Sequence, residues 1–215
     1  MSGSPWTLPN VITVARIVAC PVIFFLAIAV GIGPRFAAFG LFVAAGLSDV
    51  WDGYLARKHG LVTDVGKLLD PLADKLLLAA TLIPFYLVSH RPEGADVLPF
   101  WGPFPMWVLL VIFGREILIT VFRSYAAGKG VIIAAGGAGK QKTLLQALFI
   151  GGLLLWWPLE DLAVVEGWVG TEGWAAWSMI HGVWIAVTLA GAVVLTIYSM
   201  LDYLWRYRSL LGIRS

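Results

Sequence analysis

Long apolar stretches, separated by short polar or glycine- and proline-containing segments, run along the whole chain of 215 residues. A helix needs about 20 residues to cross the hydrocarbon core of a bilayer, and the stretches are near that length. They predict six transmembrane helices over residues 17–31, 36–57, 66–88, 106–127, 143–157 and 174–205. Residues 6–16 mix polar and apolar side chains at helical spacing, which predicts a short amphipathic helix at the membrane interface.

The composition agrees with this pattern, because 60% of the residues are hydrophobic and 13% are charged. Such a chain is unlike a soluble domain, and its length leaves room for little besides six spans. We therefore predict an all-α integral membrane protein that forms a single domain over residues 1–215. Cys20 is the one cysteine, so the sequence offers neither a disulfide framework nor a cysteine metal site.

Charges in the predicted loops differ between the two sides of the membrane. One side has eight basic residues: Arg57, Lys58, Lys129, Lys140, Lys142, Arg206, Arg208 and Arg214. The other side has two, Arg35 and Arg91, with Glu160, Asp161, Glu166 and Glu172. Basic loops stay in the cytoplasm, so we expect both termini and the turn after the second span to be cytoplasmic, in the cell (inner) membrane.

Two pairs of aspartates flank that turn. Asp49 and Asp52 lie near the end of the second span, and Asp70 and Asp74 near the start of the third. The i, i+3 and i, i+4 spacings place each pair on one helix face, and the short turn makes the helices antiparallel neighbours. Buried carboxylates need a neutralising charge, and hard oxygen ligands suit Mg²⁺ or Mn²⁺. The four carboxylates therefore predict a metal site, in which two ions could bridge a pyrophosphate.

Small residues are interleaved with the aspartates at Gly53, Ala56 and Gly66. They leave room for a phosphate-bearing substrate beside the carboxylates. The alternative interpretation is close packing of two helices through small residues.

The segment resembles the CDP-alcohol phosphotransferase family, whose pattern it matches at every fixed position: Asp49-x2-Asp52-Gly53-x2-Ala56-Arg57-x8-Gly66-x3-Asp70-x3-Asp74. The resemblance implies six transmembrane helices, a homodimer, and transfer of a phosphatidyl or similar group from a CDP-linked lipid to an alcohol. It also implies that Asp49, Asp52 and Asp70 are metal ligands and that Asp74 is both a ligand and the general base.

The same resemblance implies CDP-lipid contacts at Gly53, Arg57 and Thr63. For Arg57 the alternative is a cation that complements a helix C-terminus, and for Thr63 an ordinary turn residue. Residues 9–13 resemble the family's amino-terminal element beside the nucleotide, which implies contacts from Asn10 and Thr13. Their alternative is helix capping, and the nearby Arg16 could instead reach the lipid headgroups.

Basic residues on the fourth and fifth spans suggest the acceptor. Arg115 and Arg123 lie on one side of the fourth span, and Lys140 and Lys142 begin the fifth. Together they predict a basic pocket facing the aspartates, suited to an acceptor that carries its own phosphate. The alternative for the two lysines is the ordinary basic flank of a span, and Glu116 could pair with a basic neighbour.

Residues 8–16, 69–75, 114–120 and 139–143 resemble the members of the family that form phosphatidylglycerophosphate. This implies that the substrates are CDP-diacylglycerol and glycerol 3-phosphate and that CMP is released. An inositol phosphate acceptor is the alternative within the family. An intramembrane cation transporter is the alternative outside it, although the sequence has no internal repeat. We expect membrane lipid as a partner and no nucleic acid.

Overall fold

The computed structural model describes residues 7–59, 63–92, 98, 102–131 and 137–208. Six α-helices make up most of this part of the chain: α1 (Leu8–Ile28), α2 (Ile32–His59), α3 (Asp64–Ser89), α4 (Met106–Gly128), α5 (Gly137–Val165) and α6 (Glu172–Arg206). Within these residues the β-structure is limited to one isolated bridge between Leu98 and Gly102. The predicted all-α class is confirmed.

Local sequence signals account for several helix ends. Gly31 has a φ of 110°, a backbone conformation that favours glycine, where the chain turns from α1 into α2. Thr63 is the N-cap of α3 and accepts a hydrogen bond from the Gly66 N–H at 3.0 Å. Thr171 caps α6 in the same way, accepting from the Trp174 N–H at 3.2 Å.

Five of the described helices are long and apolar enough to cross a membrane, and they are α1, α2, α3, α5 and α6. The chain is therefore a multi-pass membrane protein. The helix α4 has 23 residues, but Arg115, Glu116 and Arg123 interrupt its apolar sequence. Those three charged side chains contact α5 and α6 or one another, so α4 is a polar-faced member of the bundle.

Several boundaries differ from the sequence prediction. The helix α2 begins at Ile32 rather than at residue 36, and α5 begins at Gly137 rather than at residue 143. The segment predicted as a separate interfacial helix is continuous with the first span, because nothing between Arg16 and Ile17 breaks the helix. The helix α5 continues through Pro158 to Val165, although residues 158–173 were predicted to form a loop. The predicted break at Pro158 is wrong: Trp156, Trp157 and Ala163 are buried on both sides of the proline and hold the helix in place.

The largest apolar core lies away from the end of the bundle where α2 leads into α3, which we call the turn end. Phe85 of α3 packs on Trp157 of α5 with ring centroids 4.6 Å apart. Arg35 adds an ion pair to Asp161 at 2.9 Å, and Arg91 donates to the Ile28 carbonyl at 2.5 Å. The apolar core and these two polar contacts hold the helices together at the end of the bundle opposite the turn end. The polar side chains of the candidate site lie at the turn end.

Candidate active site at the turn end

Two cavities lie next to each other at the turn end, and the four aspartates are divided between them. The first cavity, of about 210 Å³, lies between α1, α2 and α3 and is lined by Pro9, Asn10, Thr13, Asp52, Gly53, Ala56, Thr63, Gly66, Lys67 and Asp70. The second cavity, of about 340 Å³, involves α1 to α5 and contains Asp49 and Asp74. The structure therefore brings the predicted aspartates together but presents them as two pairs.

The packing of the neighbouring helices accounts for this division. Asp49 and Asp52 are nearly one turn apart on α2, so their carboxylates lie at different heights along the helix axis, with Asp52 at the first cavity and Asp49 at the second. The same holds for Asp74 and Asp70 on α3. Asp52 is 4% exposed, whereas the side chains of Asp49 and Asp74 are 45% and 60% exposed in the second cavity.

Arg16 of α1 joins the two pairs. Its Nη2 lies 2.7 Å from Asp52 Oδ2, and its Nη1 pairs with Asp49 and lies 3.2 Å from Asp74 Oδ1. The side chain is 1% exposed, so the interpretation that Arg16 reaches the lipid headgroups is wrong. A guanidinium presents several donors in one plane and can bind several carboxylates at once. Arg16 therefore supplies one positive charge among three clustered aspartates, which leaves a net charge of about −2.

Thr13, one turn before Arg16 on α1, serves the first cavity. Its Oγ1 lies 3.0 Å from Asp70 Oδ1, 3.4 Å from Asp52 Oδ2 and 3.1 Å from the Pro9 carbonyl. A hydroxyl has a single proton, so these acceptors are alternatives for one donor. The N-cap of α1 is Thr7, so the capping interpretation of Asn10 and Thr13 is wrong.

Asn10 and Gly66 connect α1 to the start of α3. The Asn10 Nδ2 donates to Thr63 Oγ1 at 2.8 Å, and the Thr63 hydroxyl lies 3.2 Å from Asn10 Oδ1. A Cβ on Gly66 would lie 2.7 Å from Asn10 Oδ1, so a larger residue would displace the Asn10 side chain from this position. Thr63 is both the N-cap of α3 and part of the lining of the first cavity.

Gly53 and Ala56 also line the first cavity. The side chains of Arg57 and Lys140 lie outside the described residues, although their backbones belong to α2 and α5.

Only some of the basic residues predicted to bind the acceptor lie at the second cavity. Lys142 lines the second cavity, is 4% exposed, and forms an ion pair with Glu116. Arg115 binds the same Glu116 oxygen at 3.0 Å, so its charge lies next to the cavity. Arg123 is exposed and donates to the Tyr203 hydroxyl of α6 at 2.9 Å instead.

Three residues of this region were missed as site residues in the sequence: Arg16, Glu116 and Gln146, all of which line the second cavity. Helical spacing carries part of the signal. Arg16 follows Thr13 by three residues, and Gln146 follows Lys142 by four, so each shares a helix face with a predicted site residue.

The chemistry of the donor set fits Mg²⁺ or Mn²⁺, because carboxylate and hydroxyl oxygens are the ligands that these ions prefer. Among the described residues, however, no three carboxylate, imidazole or thiol groups are arranged around one point as ligands of a single ion. The Arg16 guanidinium lies between the carboxylates instead.

Comparison with known proteins agrees with this chemistry. A family model described as CDP-alcohol phosphatidyltransferase matches residues 6–194. The chain is 36% identical over 191 residues to the CDP-diacylglycerol–glycerol-3-phosphate 3-phosphatidyltransferase of Bacillus subtilis, covering 76% of this chain and 92% of the relative. It is 35% identical over 212 residues to a probable phosphatidylglycerophosphate synthase of Mycobacterium tuberculosis, covering 96% and 85%.

A relative named for another lipid product also matches. The chain is 35% identical over 189 residues to the cardiolipin synthase (CMP-forming) of Oryza sativa, covering 81% of this chain and 55% of the relative.

Proposed function

This chain belongs to the CDP-alcohol phosphatidyltransferase family and is a transferase of phospholipid biosynthesis, and we propose that it transfers the phosphatidyl group of CDP-diacylglycerol to glycerol 3-phosphate. The products are phosphatidylglycerophosphate and CMP. One observation carries the choice of acceptor: the buried cation Lys142 lines the same cavity as Asp74. A base and a cation in one cavity suit an acceptor that has a reactive hydroxyl at one end and a phosphate at the other.

We assign the CDP end of the lipid to the first cavity. Its walls combine hydrogen-bonding side chains with small residues, so that a nucleotide could approach the backbone closely. The residues proposed to contact it are Asn10, Thr13, Gly53, Ala56, Arg57, Thr63 and Gly66.

The family is generally dependent on divalent metal ions. We propose that Asp49, Asp52, Asp70 and Asp74 hold Mg²⁺ or Mn²⁺, as two ions. When bound, the ions would neutralise the pyrophosphate of the CDP-lipid and stabilise the charge on departing CMP. Arg16, which pairs with three of these carboxylates, keeps them within reach of one another.

Asp74 is proposed as the general base. It accepts the proton of the acceptor hydroxyl while that oxygen forms a bond to the β-phosphorus, and the bond between the β-phosphorus and the bridging oxygen of CMP breaks. The half-exposed Asp74 carboxylate lies in the second cavity, where an acceptor can reach it.

The acceptor phosphate is proposed to bind Lys142, with Arg115, Arg123 and Lys140 adding positive charge around it. Lys142 and Arg115 share a Glu116 oxygen, so three charges leave a net charge of about +1 beside the cavity. A phosphate dianion entering there is attracted by this charge and can bind both cations.

We also propose a membrane arrangement. All six helices cross the bilayer, α4 included, and the first turns of α1 lie at the interface. The turn end and both termini face the cytoplasm, the membrane is the inner membrane of the cell, and residues 1–215 form one domain that pairs as a homodimer.

An acceptor screen with the purified protein tests the function. CMP release from CDP-diacylglycerol should require Mg²⁺ or Mn²⁺ and glycerol 3-phosphate, and the lipid product should be phosphatidylglycerophosphate by mass spectrometry. Inositol phosphate, serine and phosphatidylglycerol serve as competing acceptors. Turnover with one of these but not with glycerol 3-phosphate would reject the proposed acceptor. Metal flux into vesicles without CMP release would favour the transporter alternative.

A further inference from the structure

One buried polar group in the second cavity has no role in the chemistry described so far. Gln146 of α5 lines this cavity and is 3% exposed. Its amide nitrogen has no hydrogen-bond partner among the described residues. A buried amide N–H group without a partner is costly, and a ligand bound in the cavity that Gln146 lines can supply the missing acceptor.

Its position along α5 indicates what kind of group it meets. Lys142, Gln146 and Ile150 follow one another at four-residue intervals and all line the cavity. The α5 wall thus changes from a cation to an uncharged amide and then to an apolar side chain. Gln146 lies where a ligand whose phosphate is at Lys142 would present an uncharged polar group.

The polar lining of the cavity includes the Asp74 carboxylate, the Lys142 ammonium and the Gln146 amide, together with Arg16, Asp49, Glu116 and Thr143. Of the two uncharged polar side chains, Gln146 is buried and Thr143 is exposed. Glycerol 3-phosphate has three matching groups, which are a primary hydroxyl, a phosphate and a secondary hydroxyl between them. Since the primary hydroxyl is assigned to Asp74 and the phosphate to Lys142, the secondary hydroxyl is left for the amide.

We propose that Gln146 determines acceptor specificity by donating a hydrogen bond from its side-chain amide to the secondary hydroxyl of glycerol 3-phosphate. This inference rests on the proposed function. It predicts that the enzyme discriminates against an acceptor that lacks this hydroxyl, because the amide then stays buried and unpaired.

The test compares two acceptors, glycerol 3-phosphate and 3-hydroxypropyl phosphate, which lacks only the secondary hydroxyl. The wild-type protein should prefer glycerol 3-phosphate in kcat/KM by about tenfold or more. The substitution Gln146→Met keeps the length of the side chain but removes the donor. It should lower kcat/KM for glycerol 3-phosphate by about tenfold and leave that for 3-hydroxypropyl phosphate unchanged, so that the preference disappears.

Gln141 on the same helix provides the matched control, because it is exposed and lies outside the lining of the cavity. Gln141→Met should keep the wild-type preference. Gln146→Leu is the second variant. Since either change removes an unpaired donor, both Gln146 variants should unfold in detergent at or above the wild-type temperature.

The results separate this inference from the proposed function. A wild-type protein that releases no CMP with glycerol 3-phosphate would overturn both. Normal turnover with an unchanged preference in the Gln146 variants would overturn only the role of Gln146. An equal loss for the two acceptors, or failure of both variants to fold, would also overturn it, because the amide would then serve packing.

Discussion

The two cavities that meet at Arg16 are built in different ways. The first cavity uses three helices, and its polar side chains hydrogen-bond to one another through Thr13, Asn10 and Thr63. The second cavity draws on five helices, has an apolar floor that includes Leu77 and Ile150, and contains an amide without a partner among the described residues.

Under the proposed function, this difference separates the site for the CDP group from the site for the acceptor. A site for the common CDP group can be formed within one short motif and the helix that packs on it. An acceptor site assembled from distant helices can change without disturbing that motif. Among the relatives, names that specify glycerol 3-phosphate and a cardiolipin synthase both occur at about 35% identity.

The largest effect should come from Asp74, the carboxylate proposed to act across the boundary between the cavities. Asp74→Asn keeps the size of the side chain but removes the base, so kcat should fall by about 10³-fold or more. CMP release measures the rate, and retention of CDP-diacylglycerol on the variant in a binding assay is the control. A variant with more than a tenth of the wild-type rate would remove Asp74 from the role of base.

Arg16 should affect both cavities at once. Arg16→Gln leaves three carboxylates without their shared cation, which should destabilise the protein by about 2 kcal/mol after allowance for the exposure of Asp49 and Asp74. We expect a lower unfolding temperature in detergent and higher KM values for both substrates. Arg16→Lys, which keeps the charge but not the planar donors, should recover part of the loss. A change in one KM alone would contradict the role of Arg16 as the link between the cavities.

Substitution of Lys142 should weaken only the binding of the substrate proposed for the second cavity. Lys142→Met should raise the KM for glycerol 3-phosphate by about 10- to 100-fold, because a charge-assisted contact to phosphate is lost. The KM for CDP-diacylglycerol should not change. Lys129→Met is the control, since Lys129 is an exposed lysine beside α4 that does not line the cavity. Equal increases in both KM values would reject the separation of the two cavities.

Substitution of Thr13 should raise the KM for CDP-diacylglycerol rather than the KM for glycerol 3-phosphate. Thr13→Val removes the hydroxyl that contacts Asp70 and Asp52, and the KM for CDP-diacylglycerol should rise by about fivefold. Thr196→Val is the control, because the Thr196 hydroxyl is buried without a partner among the described residues and its loss should not impair folding or turnover. A larger effect of Thr13→Val on glycerol 3-phosphate would place Thr13 with the acceptor instead.

Arg123 should have the smallest effect. Its guanidinium binds the Tyr203 hydroxyl, so it can add only a longer-range attraction for the acceptor phosphate. Arg123→Ala should raise the KM for glycerol 3-phosphate by about two- to threefold at low ionic strength, and less at high salt. Arg115→Ala, at the cavity, should have a larger effect. A salt-independent loss of tenfold or more would mean that Arg123 contacts the acceptor directly.

Much of the fold was accessible from the sequence because the bilayer constrains it strongly. Apolar length alone located the helices, and the predicted bounds of α4 and α6 agree with the structure to within two residues. The error at Pro158 has a physical reason: packing of Trp156 and Trp157 outweighs the hydrogen bond that the proline cannot make.

The sequence by itself determined the helical membrane class, the aspartate pairs and the small residues beside them. The membrane class follows from the apolar stretches along the whole chain, and the aspartate pairs and small residues follow from spacing within a single short segment. Only the tertiary structure decided that Arg16 lies among the aspartates, that Lys142 pairs with Glu116, and that Arg123 contacts α6. Those contacts join residues of different helices, so spacing along the sequence does not reveal them. A basic side chain near a helix end can extend to the lipid headgroups or point into the bundle, and the sequence is compatible with both. The packing of the helices determines the direction of each basic side chain. It also divides the four aspartates of one motif between two cavities.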